Sequence, residues 1–172
     1  PSTSSAASDV YKRQPLRSDE GFLAIMQYFS ADNYFSLWAT VIVGCLLTFM
    51  IQSSSAMLGI TIALASSGSI SFQTALALVM GENIGTTITA LLASVGANTT
   101  AKRAWIAHAL FNVCGVLVLT TFFWAYKDFI EGIIGGVSDF TDADGQKPHI
   151  AAHIAAGHTA VSYTHLRAHE TV

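Results

Sequence analysis

From Asn33 to Gly81 this chain carries no charged side chain. A water-facing fold has no use for so long a neutral stretch, and over the whole chain only 11% of residues are charged, against roughly 25% in a typical soluble domain. Basic charge is also scarce. Eight Lys and Arg against eleven Asp and Glu give a net charge of -3, so no basic stripe exists to meet phosphates and nucleic acid is excluded as a partner. The two cysteines, Cys45 and Cys114, both fall inside apolar runs and read as lipid-phase thiols rather than a disulfide. No nucleophile–base pair, Walker loop or dinucleotide fingerprint is present, which argues against an enzyme. Asp139, Asp142 and Asp144 precede Gly145 but do not make a calcium loop, because Phe140 and Ala151 stand where that loop needs acids. His149 and His153 are four apart with His158 beyond, yet no acidic or cysteine partner follows at ligand spacing, so no metal site is expected.

What is present is hydrophobic: 52% of 172 residues, about one domain's length. The pattern predicts an all-α polytopic membrane protein. Ser18–Tyr28 turns from acidic to apolar and reads as a short interfacial helix, with Ser18 or Asp19 as N-cap. Tyr34, Phe35 and Trp38 suit an aromatic belt. Phe35–Ile51 is long enough to cross most of a bilayer at roughly 1.5 Å per residue. Ala56–Ala65, Phe72–Met80 and Ile88–Val95 are too short to span alone. Ala104–Tyr126 reads as a full span with His108 and Asn112 as its main polar members. Gly132–Lys147 is a solvent-exposed loop, and His149 opens another helix. Lys102 and Arg103 place their loop on the cytoplasmic side.

Two polar stretches separate the short apolar segments, which is the sequence pointer to a transporter binding site built from broken or re-entrant helices. Gln52-Ser53-Ser54-Ser55 supplies three hydroxyls and an amide inside the charge-free run. Unsatisfied polar groups in hydrocarbon cost several kcal/mol each, by rough estimate, so such a cluster needs a reason. Hydroxyl and carbonyl oxygens suit a hard cation such as sodium, whereas N–H groups at a helix start suit an anion. Lone serines usually bond back to their own helix or glue two helices together; four polar residues in a row favour a site. The second stretch, Gly81–Thr87, offers Asn83, Thr86 and Thr87, with Gly81 and Gly85 allowing backbone that a helix would refuse. Glu82 is the one acid between Asp32 and Lys102. It is either an intramembrane functional acid or the cap of a helix start near the aqueous edge. His108 reads as a helix–helix hydrogen-bonding group rather than a proton relay. Ala63, Ala65, Ala75 and Ala77 read as packing surface.

Gln-Ser-Ser-Ser, then Asn-Ile-Gly-Thr-Thr about 26 residues on, then Ala-His-x-Leu-Phe-Asn over Ala107–Asn112, together resemble the sodium-dependent phosphate cotransporter family, which includes bacterial transporters and the type II renal ones. The resemblance covers about Phe35–Thr121 and, more faintly, His149–Ala160. It implies two inverted repeats, each with its own Gln-Ser-Ser motif, that build a sodium and phosphate site at their interface. One motif occurs here, so the chain resembles one repeat, the second rather than the first, and its partner would be the missing other repeat. By that resemblance Gln52, Ser53, Ser54 and Ser55 match the ion- and substrate-binding motif, and Asn83, Thr86 and Thr87 its partner stretch. Glu82 departs from the small or neutral residue of that position, which bears on ion coupling or pH response. His158-Thr159-Ala160 matches the start of a further family stretch.

The ends differ from the middle. Residues 1–14 and 161–172 resemble translated sequencing-adapter ends, which leaves 15–160 as a partial cotransporter membrane domain. The function expected is sodium-coupled symport of inorganic phosphate across the cell membrane by a multi-pass protein. Phosphate, sodium and the lipid bilayer are its partners, with no cofactor beyond sodium as coupling ion. The alternatives are a sodium-coupled carrier of another anion, such as a dicarboxylate or sulfate, and a non-transporting membrane assembly subunit.

Overall fold

The computed structural model describes residues 30–94, 96, 98–143 and 147–169; the expected Ser18–Tyr28 helix and residues 1–14 lie outside them. Every regular element among the described residues is helical: α1 (Tyr34–Ile51), α2 (Ser54–Ser66), α3 (Phe72–Ala93), α4 (Thr99–Thr121), α5 (Phe123–Ile134) and α6 (Ile150–His169). Tyr34–Ile51, Phe72–Leu92 and Lys102–Thr121 are each long and apolar enough to cross a membrane. The chain is an all-α polytopic membrane protein.

The boundaries follow local chemistry. Asn33 caps α1 by accepting the Ser36 N–H at 3.0 Å, and Gln52 ends it in the left-handed region at φ 54°. Ser53 then caps α2 through its hydroxyl, which accepts the Ala56 N–H, and Ser71 does the same for α3 with Thr74. Gly68, at φ 74°, turns the chain between α2 and α3. Helix hydroxyls bond back to their own carbonyls, as Thr40 does to Ser36 and Thr48 to Gly44, so these side chains enter an apolar layer with their protons already placed.

α1 and α3 pack most extensively, and glycine is the reason. A Cβ on Gly81 would lie 2.7 Å from the Cys45 amide nitrogen and closer still to the Val41 carbonyl; one on Gly85 would lie 2.7 Å from the Cys45 carbonyl. Gly44 of α1 meets the Leu78 backbone in the same way. The backbones touch through a small-xxx-small pair on α3. This corrects the expected second break. Gly81–Thr87 is not an interruption; α3 runs unbroken through it to Ala93, so Phe72–Met80 and the segment expected to start at Ile88 are parts of one helix. Glycine there serves close approach rather than unwinding. Val41 faces Gly81 and Cys45 faces Gly85, so α1 and α3 run parallel.

α2 bonds α3 through Thr61 and Glu82, after the short turn at Ser67–Ser71, and runs antiparallel to it. The chain therefore reverses at Gln52–Ser53. With 13 residues α2 is about 20 Å long, short of a hydrocarbon core of roughly 30 Å. α4 is antiparallel to α3: Asn112 donates to the Asn83 carbonyl at 2.9 Å and the Trp105 indole to the Thr87 carbonyl at 2.8 Å. α4 ends earlier than the expected span, at Thr121. The hydroxyls of Thr120 and Thr121 compete for the Val116 and Leu117 carbonyls there, and α5 starts anew past Phe122. α6 lies along α3, with Gly157 against Leu76 and the His153 ring edge-on to Phe72 at 5.6 Å; it continues through residues 161–169.

At one end of the bundle Tyr34 reaches the Thr121 carbonyl at 3.0 Å and stacks edge-on with Trp124 at 4.7 Å, as an aromatic belt requires. The loop after α5 folds over this same end. Asp139 accepts the Phe72 N–H at the start of α3 and the Lys147 ammonium at 2.6 Å, and Lys147 N–H bonds the Ser66 carbonyl. Phe35, Ile42, Leu46 and Met50 on α1, and Leu110, Leu117 and Val118 on α4, point outward as a lipid-facing surface.

Candidate functional site

The core of α3 is apolar from Ala75 to Met80, every residue fully buried. Glu82 follows directly. It stands eleventh of the 22 residues of α3, 1% exposed, so it is a mid-helix acid and not the cap of a helix start. Its Oε1 accepts the Thr61 hydroxyl of α2 at 2.9 Å, and its Oε2 has no hydrogen-bond partner. A lone buried acid in the centre of a span is costly and marks function unless something offsets it.

A cavity of about 310 Å³ opens beside it. Ser54, at the first turn of α2, lines one side. Glu82, Asn83 and Thr86 of α3 form the floor, His108 and Asn112 of α4 the opposite wall, and His158 and Ser162 of α6 complete it. Glu82 is the one acid in this lining, and no lysine or arginine joins it. Ser162 belongs to the segment 161–172 that composition set apart from the middle.

Of the predicted site residues, Ser54, Glu82, Asn83 and Thr86 meet at the cavity. Asn83 is buried and donates to the Val79 carbonyl at 3.0 Å; Thr86 donates to the Glu82 carbonyl at 2.8 Å. Gln52, Ser53, Ser55 and Thr87 do not line it. Gln52 is exposed at the reversal, Ser53 is spent on capping α2 and contacts the exposed Ser55 hydroxyl at 3.3 Å. Thr87 is buried with its hydroxyl on the Ile84 carbonyl, and its own carbonyl holds Trp105. The reversal therefore places Gln52 and Ser55 at an exposed polar edge at the end of α1, while the cavity extends from Ser54 along the middle of α3.

Asn112, noted in the sequence as a polar member of its span, is a site residue that sequence reasoning did not single out. It is 2% exposed; its amide N donates across to α3, and its Oδ1 is left without a partner. His108 and His158 also reach the cavity. His153 does not: it is fully buried, with Nδ1 2.8 Å from the His149 carbonyl. Its four-residue spacing from His149 is thus used within the helix.

The sequence profile described as Na+/Pi-cotransporter matches residues 22–136. An uncharacterized protein of Bacillus subtilis, YqeW, is 40% identical over 96 residues, 56% of this chain and 31% of that protein. Sodium-dependent phosphate transport protein 2A of Ovis aries is 37% identical over 89 residues, 47% of this chain and 14% of that protein. Sodium-dependent phosphate transport protein 2C of Rattus norvegicus is 38% identical over 90 residues, 50% of this chain and 15% of that protein. These matched stretches cover a third or less of each relative. No solved structure matches the chain.

Proposed function

The chain belongs to the Na+/Pi-cotransporter family, and from that premise we propose that it forms one repeat of a sodium-coupled symporter of inorganic phosphate in the plasma or inner membrane. It is carried by one observation: four residues from the two predicted polar stretches, Ser54, Glu82, Asn83 and Thr86, converge on a single cavity at the middle of a membrane-spanning helix.

Phosphate would approach from the reversal at Gln52–Ser53, where the first N–H groups of α2 and the hydroxyls of Ser53 to Ser55 face it. Asn83 and Thr86 complete that side of the path. The cavity lacks a lysine or arginine to hold an anion. An anion about 5 Å from the Glu82 carboxylate, at an effective dielectric of about 20, would be repelled by roughly 3 kcal/mol. A sodium ion entering with phosphate would offset that penalty, which supports coupling of the two. A second repeat supplies the other half of the site, and closure of one repeat on the other alternates access. No covalent step is involved; the protein is a carrier and not an enzyme.

The test is labelled-phosphate uptake into proteoliposomes by the full-length protein that carries this sequence, with sodium or potassium outside, beside a Ser54→Ala variant. Sodium-dependent uptake that the variant reduces at least tenfold, with unchanged assembly, is the expected result. Uptake indifferent to sodium would overturn the coupling. Uptake of sulfate or a dicarboxylate in place of phosphate would overturn the substrate.

A further inference from the structure

We propose that Glu82 and Asn112 hold the coupling cation directly, at a locus between α3 and α4 within the cavity that Ser54 also lines. The inference deepens the function proposed above and rests on it for the identity of the ion, sodium.

Two buried oxygens on this wall lack partners: Glu82 Oε2 and Asn112 Oδ1. Both residues line the same cavity. The orientation of Asn112 is fixed by its other end, because only an N–H can donate to the Asn83 carbonyl at 2.9 Å, which leaves Oδ1 as the free atom. Thr86 adds a third oxygen. Its single hydroxyl proton is given to the Glu82 carbonyl, so toward the cavity it offers lone pairs alone. The Thr61 hydroxyl already serves Glu82 Oε1 and leaves the other carboxylate oxygen for a different partner.

Three acceptor oxygens from two helices, one of them charged, and no lysine or arginine among the lining residues describe the ligand set of a hard cation. A water could donate to Glu82 Oε2 and Asn112 Oδ1 together, but it brings no positive charge to the carboxylate. A proton on Oε2 would neutralise the charge, yet it supplies one hydrogen bond where three acceptors face the space. A sodium ion answers all three. Glu82 Oε2 and Asn112 Oδ1 are the buried side-chain oxygens left unpaired among the described residues, and an ion between them would satisfy both.

The experiment is equilibrium binding of labelled sodium to the full-length protein in detergent, without phosphate, in choline buffer at constant ionic strength. Melting temperature in the same buffers is the second readout. Wild type is expected to bind sodium saturably and to melt at higher temperature with it. Glu82→Gln keeps an acceptor for Thr61 and the side-chain volume; it is expected to fold, to weaken sodium binding at least tenfold and to lose the sodium-dependent melting shift. Asn112→Ala, which removes the free Oδ1, is expected to weaken sodium binding as well. Glu82→Gln binding sodium like wild type would overturn the proposal. So would a wild-type melting temperature that responds to pH but not to sodium, which would assign the locus to a proton. Sodium binding lost in Glu82→Gln, together with absence of phosphate uptake by wild type, would leave this site standing and sink the phosphate reading. Sodium-driven phosphate uptake with unaltered binding in Glu82→Gln would do the reverse.

Discussion

At the scale of single residues, the Thr61–Glu82 pair shows how this layer tolerates an acid. A hydroxyl on α2 satisfies one carboxylate oxygen and ties two helices that share few other polar contacts. Thr61→Val removes the donor and leaves Oε1 buried without a partner, at a cost of about 1–3 kcal/mol. A fall in melting temperature in detergent should report it, while Thr61→Ser should hold near wild type. Pairing Thr61→Val with Glu82→Leu should recover much of the loss, since removing both partners is far cheaper than orphaning one. Gln52 offers a second residue-level test. Its φ of 54° strains any residue with a Cβ by about 1 kcal/mol, so Gln52→Gly should leave stability unchanged or raise it. If the amide serves transport, the same variant lowers phosphate uptake. A stability gain with undiminished uptake would reduce Gln52 to a turn residue.

At the scale of elements, the break between α1 and α2 was legible in the sequence, whereas the reversal of the chain there and the continuity of α3 were not. Gln52 to Ser55 bring hydroxyls and an amide into an uncharged apolar run, and a helix offers them little to do except end or begin. Gly81 and Gly85 carry no such signal. Glycine permits unwinding and permits close packing equally, and the outcome depends on Val41 and Cys45, forty residues away on another helix. Asn112 fails for the same kind of reason: its polarity is visible, but which helix it faces is decided by the antiparallel register of α3 and α4. The end of α4 at Thr121 depends on which carbonyls two threonine hydroxyls take. Close packing of α1 on α3 makes a firm prediction. Gly81→Leu must push the helices apart and should cost about 1–3 kcal/mol or more, read as a lowered melting temperature, whereas Gly59→Leu, where the added Cβ meets nothing within 4 Å, should be tolerated.

At the scale of the whole molecule, parallel α1 and α3 with antiparallel α2 and α4 sort the polar segments to two ends. Gln52 and Lys102 share one end; the α2–α3 turn and the loop carrying Asp139, Phe140 and Lys147 share the other. From the basic pair Lys102 and Arg103 we propose that the first end faces the cytoplasm. Gln52→Cys and Lys102→Cys should therefore react with an impermeant maleimide from one side of the membrane and Phe140→Cys from the opposite side; labelling of all three from one side would refute the arrangement. The glycine contact has a mechanical consequence beyond packing. With backbone seated on backbone along Gly44, Gly81 and Gly85, α1 and α3 cannot slide or roll past each other without a collision, so the two form one stiff plank. α2, in contrast, joins that plank through the capped reversal at Gln52–Ser53 and the turn at Gly68, with the Thr61 hydroxyl bonding it to Glu82. Any rocking of this repeat carries α1 and α3 together.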